Sequence, residues 1–298
     1  SVSYLKGLGS VSQRVVRIKF IASKIMKYLN DQFLDDEKII EAANFCKNDL
    51  CSEIVYEFPE LQGIMGGKYL KYEGYSEEVC LAVAEHYLPS SYKDDLPSSK
   101  YGAIVSVADK LETLISIFIS GKRPSGSSDP YALRRNLNGV VKIMWSFELD
   151  FSLENLFEEL IEYWKTSLPN LNFIEKKVFE DLIEFLFQRI ESHLEEIAID
   201  KELIRAICSS DDFFKKRILN ITDLKNRVEA ISVYKEKGSF DKIQKIITRV
   251  SKLADSGNLK KDVISKKGYI NQELFEKRCE LKVFEFIEEL EALFAKDD

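Results

Sequence analysis

Apolar residues recur at the 3.6-residue spacing of an α-helix along almost the whole chain, and little interrupts them: 13 glycines and 6 prolines among 298 residues. Laid into a pleated sheet, such a pattern would send apolar side chains to both faces, so it points to an all-α fold. Val11, Val15, Ile18 and Ile21-Ala22 form one stripe behind Ser10, a residue suited to cap the helix. Residues 77–88 and 101–119 form two more, the second apolar almost all round and therefore expected to be buried. Between them PSSYKDDLPSSK, residues 89–100, is dense in Pro, Ser and Asp and reads as a loop. No run of about 18 apolar residues occurs, so no membrane span is expected. The opening SVSYLKGLGS lacks the basic-then-apolar layout of a signal peptide. Five cysteines, at 46, 51, 80, 208 and 279, fall singly inside helical patterns, which is the usage of reduced thiols in a cytoplasmic protein.

Charge is unevenly placed. Residues 201–267 carry 17 Lys/Arg against 9 Asp/Glu, a local excess of eight positive charges in a chain of net charge -7. Such asymmetry suits a polyanion partner, although a lysine-rich solvated face gives the same count. A second basic cluster is GKRPSGSSDPYALRRN, residues 121–136, where Lys122, Arg123, Arg134 and Arg135 surround one acid, Asp129. Asp129-Pro130 reads as an N-cap followed by proline at the first helical position. The helix after it shows Leu133, Leu137, Val140-Val141 and Met144 on one face. At about 100° per residue, Arg135 points away from that stripe and Arg134 sits on its flank, half buried.

The middle of the chain is acidic, with 12 acids and 4 Lys/Arg between residues 151 and 200. SLPNLN, residues 167–172, breaks the helical pattern and serves as the expected boundary between residues 1–168 and a helical bundle at 169–298. In that bundle SFDKIQKIITRVSKLADSG puts Phe240, Ile243, Ile246-Ile247, Val250 and Leu253 on one face and Lys242, Lys245, Arg249 and Lys252 on another. Four cations on one helical face repel each other, a cost that a phosphate backbone would remove.

Several segments together resemble one family. EFPELQGIMG (57–66), EHYLP (85–89), LPSS (96–99), ADKLETL (108–114) and GSSDPYALRR (126–135) resemble, in order and spacing, the β subunit of bacterial glycyl-tRNA synthetase. GLGSVSQRVVRI near the start looks like the same family, and DLIEFLFQRI, NRVEAI and ITRVSKL more loosely resemble its C-terminal anticodon-binding region. The resemblance implies an HD-like helical domain followed by a DALR-like anticodon-binding bundle, in what looks like the C-terminal part of a longer β chain. It implies an α2β2 glycine–tRNA ligase, with tRNA(Gly), the α subunit and a second β subunit as partners. ATP would be used by the α subunit, and no cofactor would be bound by this chain. Arg189, Arg227 and Arg249 match positions where the resembling region carries arginine, which makes them tRNA-contact candidates.

HD domains in general hold a divalent ion with a histidine, a His-Asp dyad and a distant aspartate. Here the dyad position reads Asn48-Asp49, so its histidine is missing, and only His86 and His193 exist in the chain. Asp49, His86 and Asp109 are therefore expected as vestiges forming a buried polar cluster, satisfied by hydrogen bonds or by Arg134, with neither metal nor catalysis. GKRPSGSS does not match a phosphate-binding loop, and Gly66-Gly67 reads as a helix break. Phe213-Phe214 before Lys215-Lys216-Arg217 is a base-stacking candidate whose ordinary alternative is core packing. The expected RNA contacts are thus two phosphate-binding patches, Lys122, Arg123 and Arg135 in one and the helix face at 242–252 in the other. The competing classes are a helical scaffold that binds only protein and a working phosphohydrolase.

Overall fold

A computed structural model describes residues 5, 7–91, 93–201, 203, 204 and 220–236, and singly 245, 248, 249, 252, 277, 278, 281, 282 and 284–286. Among these the fold is all-α; two isolated bridges, Ser125 with Ser128 and Ser152 with Asn220, are the nearest approach to a sheet. One compact unit spans residues 1–230 and a second spans 231–298. Lys242 and Phe213-Phe214 lie outside the described residues. No described helix is long and apolar enough to cross a membrane.

The first unit is organised around one central helix. Before it come α1 (Val11–Leu29), α2 (Asp36–Phe45), the short α3 (Glu53–Glu57), α4 (Ile64–Tyr72) and α5 (Glu77–Glu85). The central helix is α6 (Lys100–Ile119); α7 (Leu133–Phe147), α8 (Leu153–Ser167), α9 (Glu175–Glu196) and α10 (Ile221–Glu236) follow. Helix α6 packs against α1, α5, α7 and, less extensively, α2, α8 and α9, so 17 of its 20 residues are buried. Serines start several of the helices, Ser10 as its sequence position suggests. Ser10 and Gln13 form a reciprocal capping box on α1, and the Ser76 and Ser99 hydroxyls accept from the third residue of α5 and α6. The SLPNLN segment links α8 to α9, and α9 packs against α7 and α8 inside the first unit.

Two expectations are corrected. Helix α7 starts at Leu133 instead of beside Pro130, after Ala132 adopts a left-handed conformation at φ 55°. Asp129 still caps it, from four residues upstream: its two carboxylate oxygens accept from Leu133 N at 2.8 Å and Arg134 N at 2.9 Å. Arg134 and Arg135 consequently fall in the first turn of the helix. Gly66-Gly67 does not break a helix but lies within α4, at its closest approach to α5. A Cβ on Gly67 would sit 2.5 Å from Cys80 O and 2.8 Å from Ala84 Cβ, both on α5.

That approach yields a test. Alanine has the better helix propensity by about 1 kcal/mol, yet Gly67→Ala is expected to destabilise the protein by about 1–3 kcal/mol through the clash with the α5 backbone. Thermal unfolding measures it, and an unchanged or raised midpoint would show that α4 can move aside.

Candidate nucleic-acid interface

Asp49, His86 and Asp109, expected in one cluster, resolve into two separate devices. Asp49, 2% exposed, turns its carboxylate on the start of α4, where Oδ2 accepts from Gly63 N at 2.6 Å and Gly66 N at 3.3 Å. It is a remote cap of that helix. His86 and Asp109 are joined by a residue the sequence reading passed over. Lys47 Nζ lies 2.8 Å from His86 Nε2 and 2.8 Å from Asp109 Oδ2, with the Tyr87 ring centroid 3.8 Å away. Burial is the largest influence and works against the charge on Lys47, but Asp109 and Tyr87 together outweigh it and its pKa is raised. Burial would likewise lift Asp109, and Lys47 and Arg14 reverse this, holding the carboxyl well below its usual range. His86 is driven far below its ordinary pKa by burial first and by Lys47 second. Its Nε2 therefore accepts from the Lys47 ammonium, and Nδ1–H donates to Val83 O at 2.7 Å.

The chemical consequence is direct. An ammonium sits between an imidazole and a carboxylate, where a divalent ion would need to be. Among the described residues no three His, Cys, Asp or Glu side chains converge as metal ligands do. The cluster is satisfied by hydrogen bonds, one of the two alternatives expected, and Arg134 is not the arginine that joins it. Arg14 is: its Nη2 reaches Asp109 Oδ1 at 2.8 Å and Thr113 Oγ1 at 2.8 Å, and its Nε reaches Glu112 Oε2 at 2.9 Å. Arg17 Nε donates to the other Glu112 oxygen at 2.9 Å and its Nη2 to Leu8 O at 3.1 Å. Arg14/Arg17 on α1 and Asp109/Glu112 on α6 share i,i+3 spacing, a signal present in the sequence.

The cations expected to meet a polyanion divide by what holds them. Arg123 is withdrawn from its expected patch: Nε and Nη2 reach Asp181 Oδ2 at 3.0 and 2.6 Å, and Nη1 reaches the carbonyls of Phe118 and Lys122 at 2.5 and 2.9 Å. Lys122 is exposed and donates to the Tyr131 hydroxyl at 2.6 Å. Arg135 is exposed, pairs with no carboxylate among the described residues, and borders a small cleft with Pro89, Ser91, Asn138 and Lys142. Arg134 is half-buried, as its flanking position predicts. Arg189 is brought to it from α9, with burial first and the Arg134 charge second depressing its pKa. Arg227 on α10 is tied to Asp223 one turn away. In the second unit Lys245, Arg249 and Lys252 are helical and exposed. Arg134 and Arg135 thus sit in the first turn of α7, and Arg189 on α9, a helix that packs against α7.

The two histidines set a pH window. His193 on α9, 5% exposed, is pushed down to about 4 by burial and then by Lys142. Unfolded histidine binds its proton near pH ~6.5, whereas the folded chain leaves both uncharged there, so the unfolded state takes up more protons as pH falls. Stability is expected to fall from about pH 6.5 downwards, by up to about 1.4 kcal/mol per pH unit for each histidine. Urea unfolding between pH 7 and 5 reads this, and His193→Leu should reduce the slope by one histidine's share. Lys47→Ala leaves Asp109 and His86 without their shared cation and is expected to cost about 3–5 kcal/mol. A stability loss under about 1 kcal/mol in the same measurement would contradict the role given to Lys47.

Comparison with known proteins adds the context of this arrangement. The family model described as the glycyl-tRNA synthetase β subunit matches residues 1–209. A protein of Trichodesmium erythraeum named glycine–tRNA ligase β subunit is 39% identical over 293 residues, covering 97% of this chain and 40% of that protein. Proteins of the same name from Thermodesulfovibrio yellowstonii and Acaryochloris marina are 38% and 36% identical, covering 96% and 94% of this chain and 39% of each relative. The chain spans about two fifths of the length of these relatives.

Proposed function

The chain belongs to the glycyl-tRNA synthetase β-subunit family, and we propose that it is a tRNA-binding, non-catalytic part of a glycine–tRNA ligase. In this reading it holds tRNA(Gly) while an α subunit, using ATP, carries out aminoacylation in the cytoplasm. The α subunit and a second β subunit would be its protein partners in an α2β2 assembly. Residues 1–168 would form the HD-like body and 169–298 the anticodon-binding bundle.

The observation that supports this most is the placing of cations in the segment on which the resemblance is most specific. Asp129 is spent on capping α7, and Arg135, in the first turn, is exposed and pairs with no carboxylate among the described residues. Lys122 is exposed in the segment leading to the same helix. A solvated cation gains little from its own protein. Against phosphate the same charge releases condensed counterions, and affinity follows. Lys245, Arg249 and Lys252 offer a second exposed basic stretch.

A phosphohydrolase reading meets the Lys47 ammonium, which fills the place where water would have to be activated. A protein-docking role draws support from exposed apolar side chains before and within α4, including Tyr56 at 87% and Tyr72 at 94% exposure. That role is compatible with tRNA binding, since these residues are distinct from the cationic ones.

Titration of the chain with a glycine-accepting tRNA across salt concentrations is expected to give log affinity falling linearly with log salt, by about 0.7–0.9 per phosphate contact. Arg135→Ala should lower that slope by about one contact without moving the unfolding midpoint. Absence of binding at low salt would refute the RNA-binding reading of this chain.

A further inference from the structure

A cleft of about 350 Å³ opens between the end of α6 and the start of α9, within the size range of ligand pockets, about 300–1,000 Å³. Its walls are mostly apolar. Phe118 and Val178 are buried, Phe173 is half-buried, and Ile174 lines the cleft while remaining 70% exposed. One polar pair completes the wall, Arg123 and Asp181. It is fixed in place: the guanidinium is bonded to Asp181 Oδ2 and to two backbone carbonyls, and lies 4.1 Å from the Phe118 ring centroid. Of the five N–H groups of an arginine, these bonds use four and leave one on Nη2. Asp181 Oδ1 accepts from no described residue.

An unused donor beside an unused acceptor, on an otherwise apolar wall, suits a flat ring whose edge carries the complementary pair. Every RNA base does, because an acceptor lies next to an N–H group on its Watson–Crick edge, and that edge is free only when the base is unpaired. The pair would set the plane and depth of such a base without selecting its identity. Charge at the rim favours the same ligand. Lys122, between the lining residues Gly121 and Arg123, is exposed. Lys177 lines the cleft, is exposed and pairs with no carboxylate among the described residues. The acids nearby are occupied: Glu175 by Lys165, Glu180 by Lys176 at 3.9 Å and Asp181 by Arg123. Cations outside and apolar walls within match a nucleotide strand, with phosphates at the rim and a ring inside. An apolar side chain of a partner protein would fill the same walls but leave the polar pair and both lysines unused.

We propose that this cleft receives one unpaired base of a bound RNA. Phe173 and Ile174 lie against its ring, the Arg123–Asp181 pair holds its edge, and Lys122 and Lys177 meet the adjacent phosphates. The proposal rests on the RNA-binding reading given above and gives Arg123, which is tied to Asp181, a base to hold in place of a phosphate.

Fluorescence anisotropy of the 298-residue chain with two labelled short phosphodiester strands of equal charge tests it. One strand carries a single central adenine among abasic units, and the other is abasic throughout. The adenine strand is expected to bind about tenfold more tightly, the gain typical of one stacked base. Ile174→Ser removes part of the apolar wall at the N-cap of α9, where serine is favoured, so the fold should be kept. It should cut the ratio between the strands by about threefold or more. Phe173→Ala should do the same, with thermal unfolding reporting that each variant is folded. Arg135→Ala, outside the cleft, should weaken both strands alike and keep the ratio. Equal affinity of the two strands, the result expected if the cleft takes a protein side chain, would overturn the proposal. So would a ratio that both cleft variants leave intact. The tRNA titration separates the two readings: tRNA binding without a base-dependent ratio refutes the cleft alone, whereas absence of tRNA binding removes the RNA-binding reading and the cleft with it.

Discussion

Everything in the first unit leans on the charges buried along α6. Asp109 and Glu112 are almost fully enclosed, and each would be costly to bury alone. Three cations from two other places in the chain meet them: Arg14 and Arg17 from α1, and Lys47 from the segment after α2. A buried ion pair is seldom a net gain over well-packed apolar residues, because desolvation consumes most of the Coulombic attraction. What it does impose is uniqueness. Slide α1 by one turn along α6 and two carboxylates lose their partners together, whereas an apolar interface would tolerate the shift. Trp164 of α8 joins the same chain of contacts, donating to Ser116 at 2.9 Å while Ser116 donates to Glu112 at 2.8 Å.

Lys47 gives this network its functional meaning. A divalent ion bound by imidazole and carboxylate keeps open positions for water and substrate. An ammonium held by the same two groups donates its protons to them and polarises nothing, and its stem fills the approach. The polar interior of the first unit is then a locked structural element, and the cations singled out in the sequence lie outside it. Those cations are of two kinds: Arg123 and Arg227, consumed by Asp181 and Asp223, and Arg134 and Arg135, in the first turn of α7 behind the capping Asp129.

Much of this was legible in the sequence where local rules suffice. The Ser10 cap of α1, the burial of α6 and the opposite fates of Arg134 and Arg135 all follow from capping preference and helical spacing. What depends on distant partners was not. Arg123 looks like any loop cation until α9 brings Asp181 across 58 positions of sequence. Gly66-Gly67 carries the ordinary signature of a helix stop, and only the packing of α5 shows that the missing Cβ atoms are required inside a helix. Lys47 was hidden for a related reason: a missing histidine was noticed, but the lysine just before it substitutes by charge and position instead of by type. The displaced start of α7 reflects a left-handed Ala132 that no residue preference announces. The packing of α9 on α7 needed two helices 42 residues apart at their starts to be set side by side.

Hydrogen–deuterium exchange of the chain with and without a glycine-accepting tRNA tests the central claim most directly, because it reads every segment at once. The account predicts slowed exchange in the Lys122–Arg135 segment and along α9 near Arg189, with residues around Lys47, His86 and Asp109 unchanged. Protection centred on the buried cluster, or none at residues 122–135 under conditions where the RNA is bound, would contradict it.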